Sequence, residues 1–243
     1  MMIPYVFGDF SYFLLTLAIL AVFVLSLLAQ SRVQKVFLQY NRQPAQCGMT
    51  AETVAKSLLR QNGCVLTVQR VQGSLTDHYN PKTNTVGLSE AVHDSASVGA
   101  LAIAAHEIGH VMQYEEGHFG IRLRNAILPV ANFGSNAGPY LILGGLLLSA
   151  FAGGNVGYYI AMIGVYLYAA MFLFQLVTLP VEFDASRRAL ILLTEGGYLR
   201  EEELGGAKKV LRAAAWTYVL AALASLLSVL RLFVLVKGNR RRS

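Results

Sequence analysis

The chain has 243 residues, of which 55% are hydrophobic and only 14% are charged, with a formal net charge of +6. An ordinary soluble domain has about 25% charged residues, so this composition excludes a disordered chain, a coiled coil and a typical cytosolic enzyme. It is typical of a membrane protein with a modest water-exposed part, in which lysine and arginine flank apolar spans. No basic face interleaved with aromatic residues occurs in the sequence, so we predict no nucleic-acid partner.

Four apolar stretches are long enough to cross a bilayer, for which about 20 residues are needed. They cover residues 10–29, 128–151, 158–179 and 213–236. Residues 1–11 contain no lysine or arginine, whereas a signal peptide begins with a basic segment, so the first stretch is predicted to be an uncleaved anchor. The sequence therefore predicts a multi-pass α-helical membrane protein.

The basic residues are distributed unevenly around these stretches. They are frequent between the first and second stretches and between the third and fourth, whereas the loop over 153–157 has no charge. Because positive residues favour the cytoplasmic side, both charged segments are predicted to be cytoplasmic. The basic tail that begins at Lys237 conflicts with four full crossings, and two explanations stay open. Either the fourth stretch, which contains Arg231, crosses incompletely, or the earlier spans fix the orientation.

Residues 50–125 have the pattern of a small α+β domain. Helices are predicted over 51–61, with Thr50 as the N-cap, and over 97–115. A strand is predicted over 64–71, and a hairpin is predicted with strands over 74–79 and 85–89. The acidic run 201–203 is predicted to be the solvated start of another helix.

The second of these helices contains the sequence His-Glu-Ile-Gly-His at 106–110. Histidines four residues apart lie on one face of a helix, so His106 and His110 can both bind a single zinc ion. Glu107 then points to the side of the metal, where it acts as general base toward the water that zinc activates. A buried group of this kind without a metal would be costly to desolvate. The sequence therefore favours one zinc ion per chain over two polar core histidines.

A catalytic zinc site needs a third protein ligand. The pattern with a third histidine six residues after the second fails here, because that position is Glu116. Pro180 is predicted to begin a helix where the third stretch returns to the cytoplasmic side, which brings Glu182 to the side of the two histidines. We therefore predict Glu182 as the third ligand, and the alternative is a first-turn carboxylate that stabilises the helix dipole. His93 and His118 are predicted to be loop residues.

Other side chains are candidates for the surroundings of the metal. Asp77 and His78 precede the histidine-bearing helix and are candidates for stabilising an oxyanion or for supporting a metal ligand, with His78 as the candidate catalytic residue. The alternative is a turn-forming aspartate and a surface histidine. The strand over 85–89 is predicted to be an edge strand that holds the substrate backbone. Arg187 and Arg188 are predicted to face anionic lipid headgroups rather than to orient a carboxylate.

Four motifs stand out over the length of the chain: LTDHY at 75–79, AHEIGH at 105–110, PVAN at 129–132 and LVTLPVEFDASRRA at 176–189. Together they resemble the YugP-type bacterial membrane zinc metallopeptidases, which implies a multi-pass protein of the bacterial cell membrane with neutral zinc peptidase activity. The last motif is also similar to that of the HtpX-like and CAAX-processing proteases. There the glutamate is the third zinc ligand, which implies this role for Glu182. Those proteases have an aspartate four residues later, where this chain has Ser186.

The resulting hypothesis is a membrane-bound zinc metalloendopeptidase with a small α+β zincin-like domain, in which the HExxH helix packs beside a short β-sheet. The predicted partners are a protein or peptide substrate near the membrane and the lipid bilayer. One alternative is an intramembrane protease, but the apolar run before His106, residues 98–105, is too short to span a bilayer. The other is a non-catalytic zinc-containing scaffold or adaptor, which would not need Glu107.

The predicted organisation has five parts. They are an N-terminal transmembrane helix (1–30), a cytoplasmic α+β metallopeptidase domain (31–126), a transmembrane hairpin (127–180), a cytoplasmic helical segment with the third zinc ligand (181–212), and a fourth membrane helix with the basic tail (213–243). The active site is predicted to lie on the cytoplasmic side of the membrane.

Overall fold

The structure, a computed structural model, describes residues 3–152 and 155–240 of the chain. This part is mostly helical and has one small three-stranded sheet. In chain order the elements are α1 (Ile3–Asn41), α2 (Ala51–Gln61), β1 (Thr67–Val71), β2 (His78–Asn80), β3 (Thr85–Ser89), α3 (Glu90–His93), α4 (Val98–Glu115), α5 (Phe119–Ala152), α6 (Val156–Glu195) and α7 (Glu201–Arg240).

Helices α1, α5, α6 and α7 contain the four apolar stretches of the sequence. Each is long and apolar enough to cross a membrane, with candidate spans at Phe10–Asn41, Phe119–Ala152, Val156–Glu195 and Glu201–Asn239. The helices extend beyond the predicted stretches, and α7 continues without a break through Arg231. The prediction of a helical protein with four candidate membrane spans is therefore confirmed.

Pro180 lies inside α6, so the prediction that it begins a helix is wrong. A proline removes one backbone hydrogen bond, and membrane helices tolerate such a loss because neighbouring helices, Ser or Thr side chains and local adjustments of the helix satisfy the freed groups. Glu182 is consequently an internal residue of a 40-residue helix. The alternative that Glu182 only stabilises a helix N-terminus is therefore excluded, since that interaction falls off within the first turn.

One compact unit of the structure comprises the described residues of 1–27, 122–179 and 218–243. Within it, α5 and α6 come close together at small residues. A Cβ atom added at Gly138 would lie 2.9 Å from the carbonyl oxygen of Gly164, and one added at Gly145 would lie 2.5 Å from the amide nitrogen of Ala161. These glycines are therefore required for the close packing of the two helix backbones.

The second compact unit comprises residues 28–121 and 180–217 and has its own hydrophobic core. The predicted helix over 51–61 is confirmed as α2, and its predicted N-cap Thr50 accepts a hydrogen bond from the Thr53 amide. The predicted helix over 97–115 is confirmed as α4, which Ser97 caps by accepting a hydrogen bond from the Ala100 amide at 3.1 Å. Most of α4 is buried in this core because its first two turns consist of small and apolar residues.

The sheet has the strand order β1-β3-β2. Strand β3 pairs in parallel with β1 and antiparallel with β2, so its backbone has a partner on both sides. The prediction that 85–89 is an edge strand is therefore wrong. The local sequence pattern indicated only the hairpin pairing of β3 with β2, which leaves one side of β3 without a partner. The parallel pairing with β1 is a non-local contact, which a local pattern does not reveal. The predicted hairpin itself is confirmed, although β2 is shorter than expected.

Two further predictions in this unit are wrong. His93, predicted to lie in a loop, is the last residue of the short helix α3. Glu203, predicted to be solvated, is only 3% exposed. Its carboxylate accepts hydrogen bonds from the Arg200 amide at 2.8 Å and from the Gln46 amide at 2.9 Å. The first bond caps α7 and the second ties the helix start to a distant loop, which explains the burial of a charged group.

Candidate metal centre

Helix α4 positions the two histidines of the sequence motif. His106 and His110 are one helical turn apart, and their ring centroids are separated by 4.7 Å. Both imidazoles are largely buried, with their Nε2 atoms directed toward the same carboxylate oxygen. The helix therefore presents two nitrogen donors at one point, as the spacing of the histidines indicates.

Glu182 of α6 supplies that carboxylate. Its Oε2 atom lies 3.4 Å from Nε2 of His106 and 3.5 Å from Nε2 of His110. Donor atoms that bind zinc tetrahedrally at about 2.0–2.1 Å are separated from one another by about 3.3–3.4 Å. The two imidazoles and the carboxylate therefore fit a zinc ion both in chemical type and in spacing. The three residues form a group in which one ligand atom of each lies within 4.8 Å of the others.

A glycine allows α4 and α6 to come together at this point. A Cβ atom added at Gly109 would lie 2.6 Å from the carbonyl oxygen of Ala185. This is shorter than a van der Waals contact, and the opposing atom belongs to the backbone and has little freedom to move. The glycine between the two histidines therefore sets the distance from the histidines to Glu182.

Replacing Gly109 with alanine is expected to weaken zinc binding at least tenfold, because α6 must shift away from α4 to make room for the methyl group. Alanine normally stabilises a helix by about 0.5–1 kcal/mol relative to glycine, so helix propensity opposes this effect. Competition with a fluorescent chelator measures the affinity. Gly205→Ala is the matched control, because a Cβ atom there meets nothing within 4 Å. Equal zinc affinity in both variants would contradict the prediction.

The second ring nitrogen of each histidine has its own partner. Nδ1 of His110 lies 3.0 Å from Oε1 of Gln113, and Nδ1 of His106 lies 3.3 Å from the hydroxyl of Ser186. These contacts turn both Nε2 atoms toward Glu182. Sequence reasoning did not find Gln113, although a glutamine three residues after a candidate ligand histidine is on the correct helix face to support it. Ser186, four residues after Glu182, supports His106.

Glu107 lies beside the three donors and is only 7% exposed. Burial raises the pKa of Glu107 above its usual range, against the opposing effect of the two neighbouring imidazoles. The negative charges of Asp77 and Glu182 raise the pKa further. The site therefore contains a carboxyl group that holds a proton more readily than one in water, as a residue that both accepts and donates protons requires.

Asp77 is held near Glu107 by β3. Its carboxylate accepts hydrogen bonds from the amide of Ser89 at 2.7 Å and from the hydroxyl of Ser89 at 3.0 Å. Burial raises the pKa of Asp77, although these two bonds lower it. His78 is exposed on β2, and its Nδ1 lies 2.9 Å from the carbonyl of Thr76. It is not part of the group formed by the three donors, and its predicted catalytic role stays a prediction.

The two arginines after Glu182 differ in their surroundings. Arg188 donates to Asp184 at 2.6 Å and to Glu116 at 2.8 Å, so the prediction that it faces lipid is wrong. A carboxylate on α6 and another at the end of α4 are close enough to bind the planar guanidinium together. Arg187 is mainly exposed and also donates to Asp184. Its predicted contact with lipid stays a prediction.

A second group of possible metal ligands consists of Glu52, His93 and Asp94. Each carboxylate in it already has a basic partner, Lys56 for Glu52 and Arg70 for Asp94. This group is therefore an ion-pair network on the surface of the second unit.

Two features define the class of protein. The described part of the chain is helical with four candidate membrane spans, and it brings two imidazoles and a carboxylate together beside a buried glutamate. A family model described as "putative neutral zinc metallopeptidase" matches residues 15–237, and the chain belongs to this family. The chain is similar to the "putative membrane protease YugP" of Bacillus subtilis (strain 168), with 43% identity over 218 residues, which cover 89% of this chain and 93% of the relative. No solved structure matches the chain.

Proposed function

We propose that the protein is a zinc metalloendopeptidase that hydrolyses peptide bonds in protein segments close to the membrane. His106, His110 and Glu182 hold one zinc ion per chain, and Glu107 transfers protons. The observation that supports this most strongly is the spacing of 3.4 and 3.5 Å between the Glu182 carboxylate and the two imidazoles. The description of the family as zinc metallopeptidases and the name of the similar membrane protease also support the proposal.

In the proposed chemistry, the metal activates the carbonyl and the water, and a residue of the chain transfers the protons. When bound, zinc polarises the carbonyl of the scissile bond and lowers the pKa of water toward about 7. Glu107 takes a proton from the attacking water and later delivers it to the nitrogen of the breaking bond. The buried position of Glu107 beside the three donor residues supports both steps, because the carboxyl must bind and release the same proton during one turnover. Its burial keeps bulk water from competing for that proton.

We propose that this site lies on the cytoplasmic face of a bacterial cell membrane, within a zincin-like domain formed by residues 31–126 and the helical segment 181–212. The basic residues that flank the apolar stretches support this side of the membrane. Glu182 follows the apolar stretch 158–179 by three residues in the same helix, which supports a substrate segment close to the bilayer.

Removal and return of the metal tests the proposal. The detergent-purified protein is incubated with unfolded protein substrates, and the fragments are identified by mass spectrometry. A chelator is expected to abolish cleavage, and about one equivalent of zinc per chain is expected to restore it. A protein that binds zinc but cleaves no substrate, in detergent or in vesicles, would support the scaffold instead. Cleavage that persists in chelator would show a contaminating or metal-independent protease.

A further inference from the structure

Gln113 connects both halves of the candidate metal centre. Its side chain is fully buried at 0% exposure in the last turns of α4. Its Oε1 faces Nδ1 of His110 at 3.0 Å, and its Nε2 donates to the carbonyl of Val181 at 2.9 Å and to Oδ2 of Asp184 at 3.0 Å. A single amide thus touches one histidine and both flanks of Glu182.

The chemistry of these partners determines which way the amide points. The Val181 carbonyl and the Asp184 carboxylate can only accept hydrogen bonds, so the amide NH₂ must face them. The amide oxygen must then face His110, and an oxygen can only accept. The proton of a neutral His110 is therefore on Nδ1, and the lone pair is on Nε2, the atom that faces Glu182.

The other histidine, His106, has no partner that restricts its tautomer in this way. The partner of His106 is the hydroxyl of Ser186, at 3.3 Å, and a hydroxyl can either donate or accept. Ser186 therefore tolerates both tautomers of His106, whereas Gln113 permits one tautomer of His110. The two contacts differ in kind as well as in length, which makes Ser186 a useful comparison.

We infer that Gln113 is a positioning residue that fixes the tautomer of His110 and holds the turn of α6 that carries Glu182, so that both ligands face one metal ion. The inference rests on the proposed function, since it concerns the assembly of the same zinc site. Asp184 takes part in the arrangement because Arg188, which also donates to Glu116, holds its carboxylate in place.

Zinc affinity distinguishes this role from a merely structural one. Gln113→Met keeps the length of the side chain and removes all three hydrogen bonds. We expect its affinity for zinc to fall about 10- to 100-fold in chelator competition, the usual effect of losing a group that orients a metal ligand. Ser186→Ala is expected to lose less than Gln113→Met. Leu101→Ala, a cavity variant at another fully buried position of α4, should melt at a lower temperature without zinc but keep its zinc affinity.

A double variant tests the connection to α6. If Gln113 acts on Glu182 through Asp184, then Asp184→Ala costs less zinc affinity in the Gln113→Met background than in the wild type. Strictly additive losses would show that the two residues act independently and would overturn that part of the inference.

The wild-type protein provides a test that does not depend on the folding of any variant. In the metal-free protein labelled with ¹⁵N-histidine, at a pH at which His110 is neutral, we expect His110 to carry its proton on Nδ1. A proton on Nε2 of His110, or a Gln113→Met variant that binds zinc as well as Leu101→Ala, would overturn the inference. Failure of the proposed function is a different result, because the wild type itself would then bind no zinc.

Discussion

Replacing Glu107 with glutamine should stop peptide hydrolysis and leave zinc binding intact. Glutamine has nearly the same shape but cannot take a proton from water at neutral pH. Loss of a general base typically slows catalysis by about 10²–10⁴-fold, so kcat should fall by at least this factor. Glu107 is not one of the three residues whose donor atoms form the group, so zinc content should stay near one ion per chain. Fragment analysis and metal analysis of the same preparation measure both quantities.

Glu115→Gln is the matched control for this prediction. Glu115 lies in the same helix and is exposed, so the same chemical change there should leave both activity and zinc content unchanged. Full activity in Glu107→Gln would remove Glu107 from the mechanism. Loss of zinc together with activity would mean that Glu107 supports the metal site rather than the chemistry.

The local parts of the fold were predictable from the sequence because their signals are local. The helix over 51–61 has an N-cap, one apolar face and a terminal glycine at 63, and it occurs as predicted. Two histidines four positions apart share a helix face in any helix, so their proximity needed no tertiary information. The pairing of β3 with β1 depended on a non-local contact, and this is where the prediction failed.

In the candidate site, too, some features were predictable from the sequence and others depend on contacts between distant segments. Charge distribution predicted that Glu182 lies on the side of the histidines, and the structure brings the three together. The close approach of Gly109 to the backbone at Ala185 allows the three residues to meet. No local sequence pattern near either residue predicts this contact. Gln113 was missed, and Arg188 was assigned to lipid headgroups, for a related reason. Their roles depend on polar groups from a different helix, and a buried polar side chain is explained only when its partners are known.

Replacing Glu182 with alanine should nearly eliminate zinc from the purified protein. The wild type is expected to contain about one zinc ion per chain, and the variant should lose at least a hundredfold in affinity, since a three-ligand site becomes a two-ligand site. Activity should disappear with the metal. Metal analysis after exhaustive dialysis, with chelator competition for the affinity, measures the effect. Glu195→Ala, at the exposed end of the same helix, should retain full zinc and activity.

The stability of Glu182→Ala without metal helps to interpret the result. In the metal-free wild type, the buried carboxylate lies against two imidazoles, and its removal leaves those rings with fewer polar partners. Zinc stabilises the folded state only of a protein that binds it. Adding zinc should therefore raise the melting temperature of the wild type and leave that of Glu182→Ala unchanged. A variant that keeps its zinc would show that another carboxylate, such as Asp184 or Glu116, completes the site. The two histidines on α4 would then bind metal without the residue that the structure places beside them.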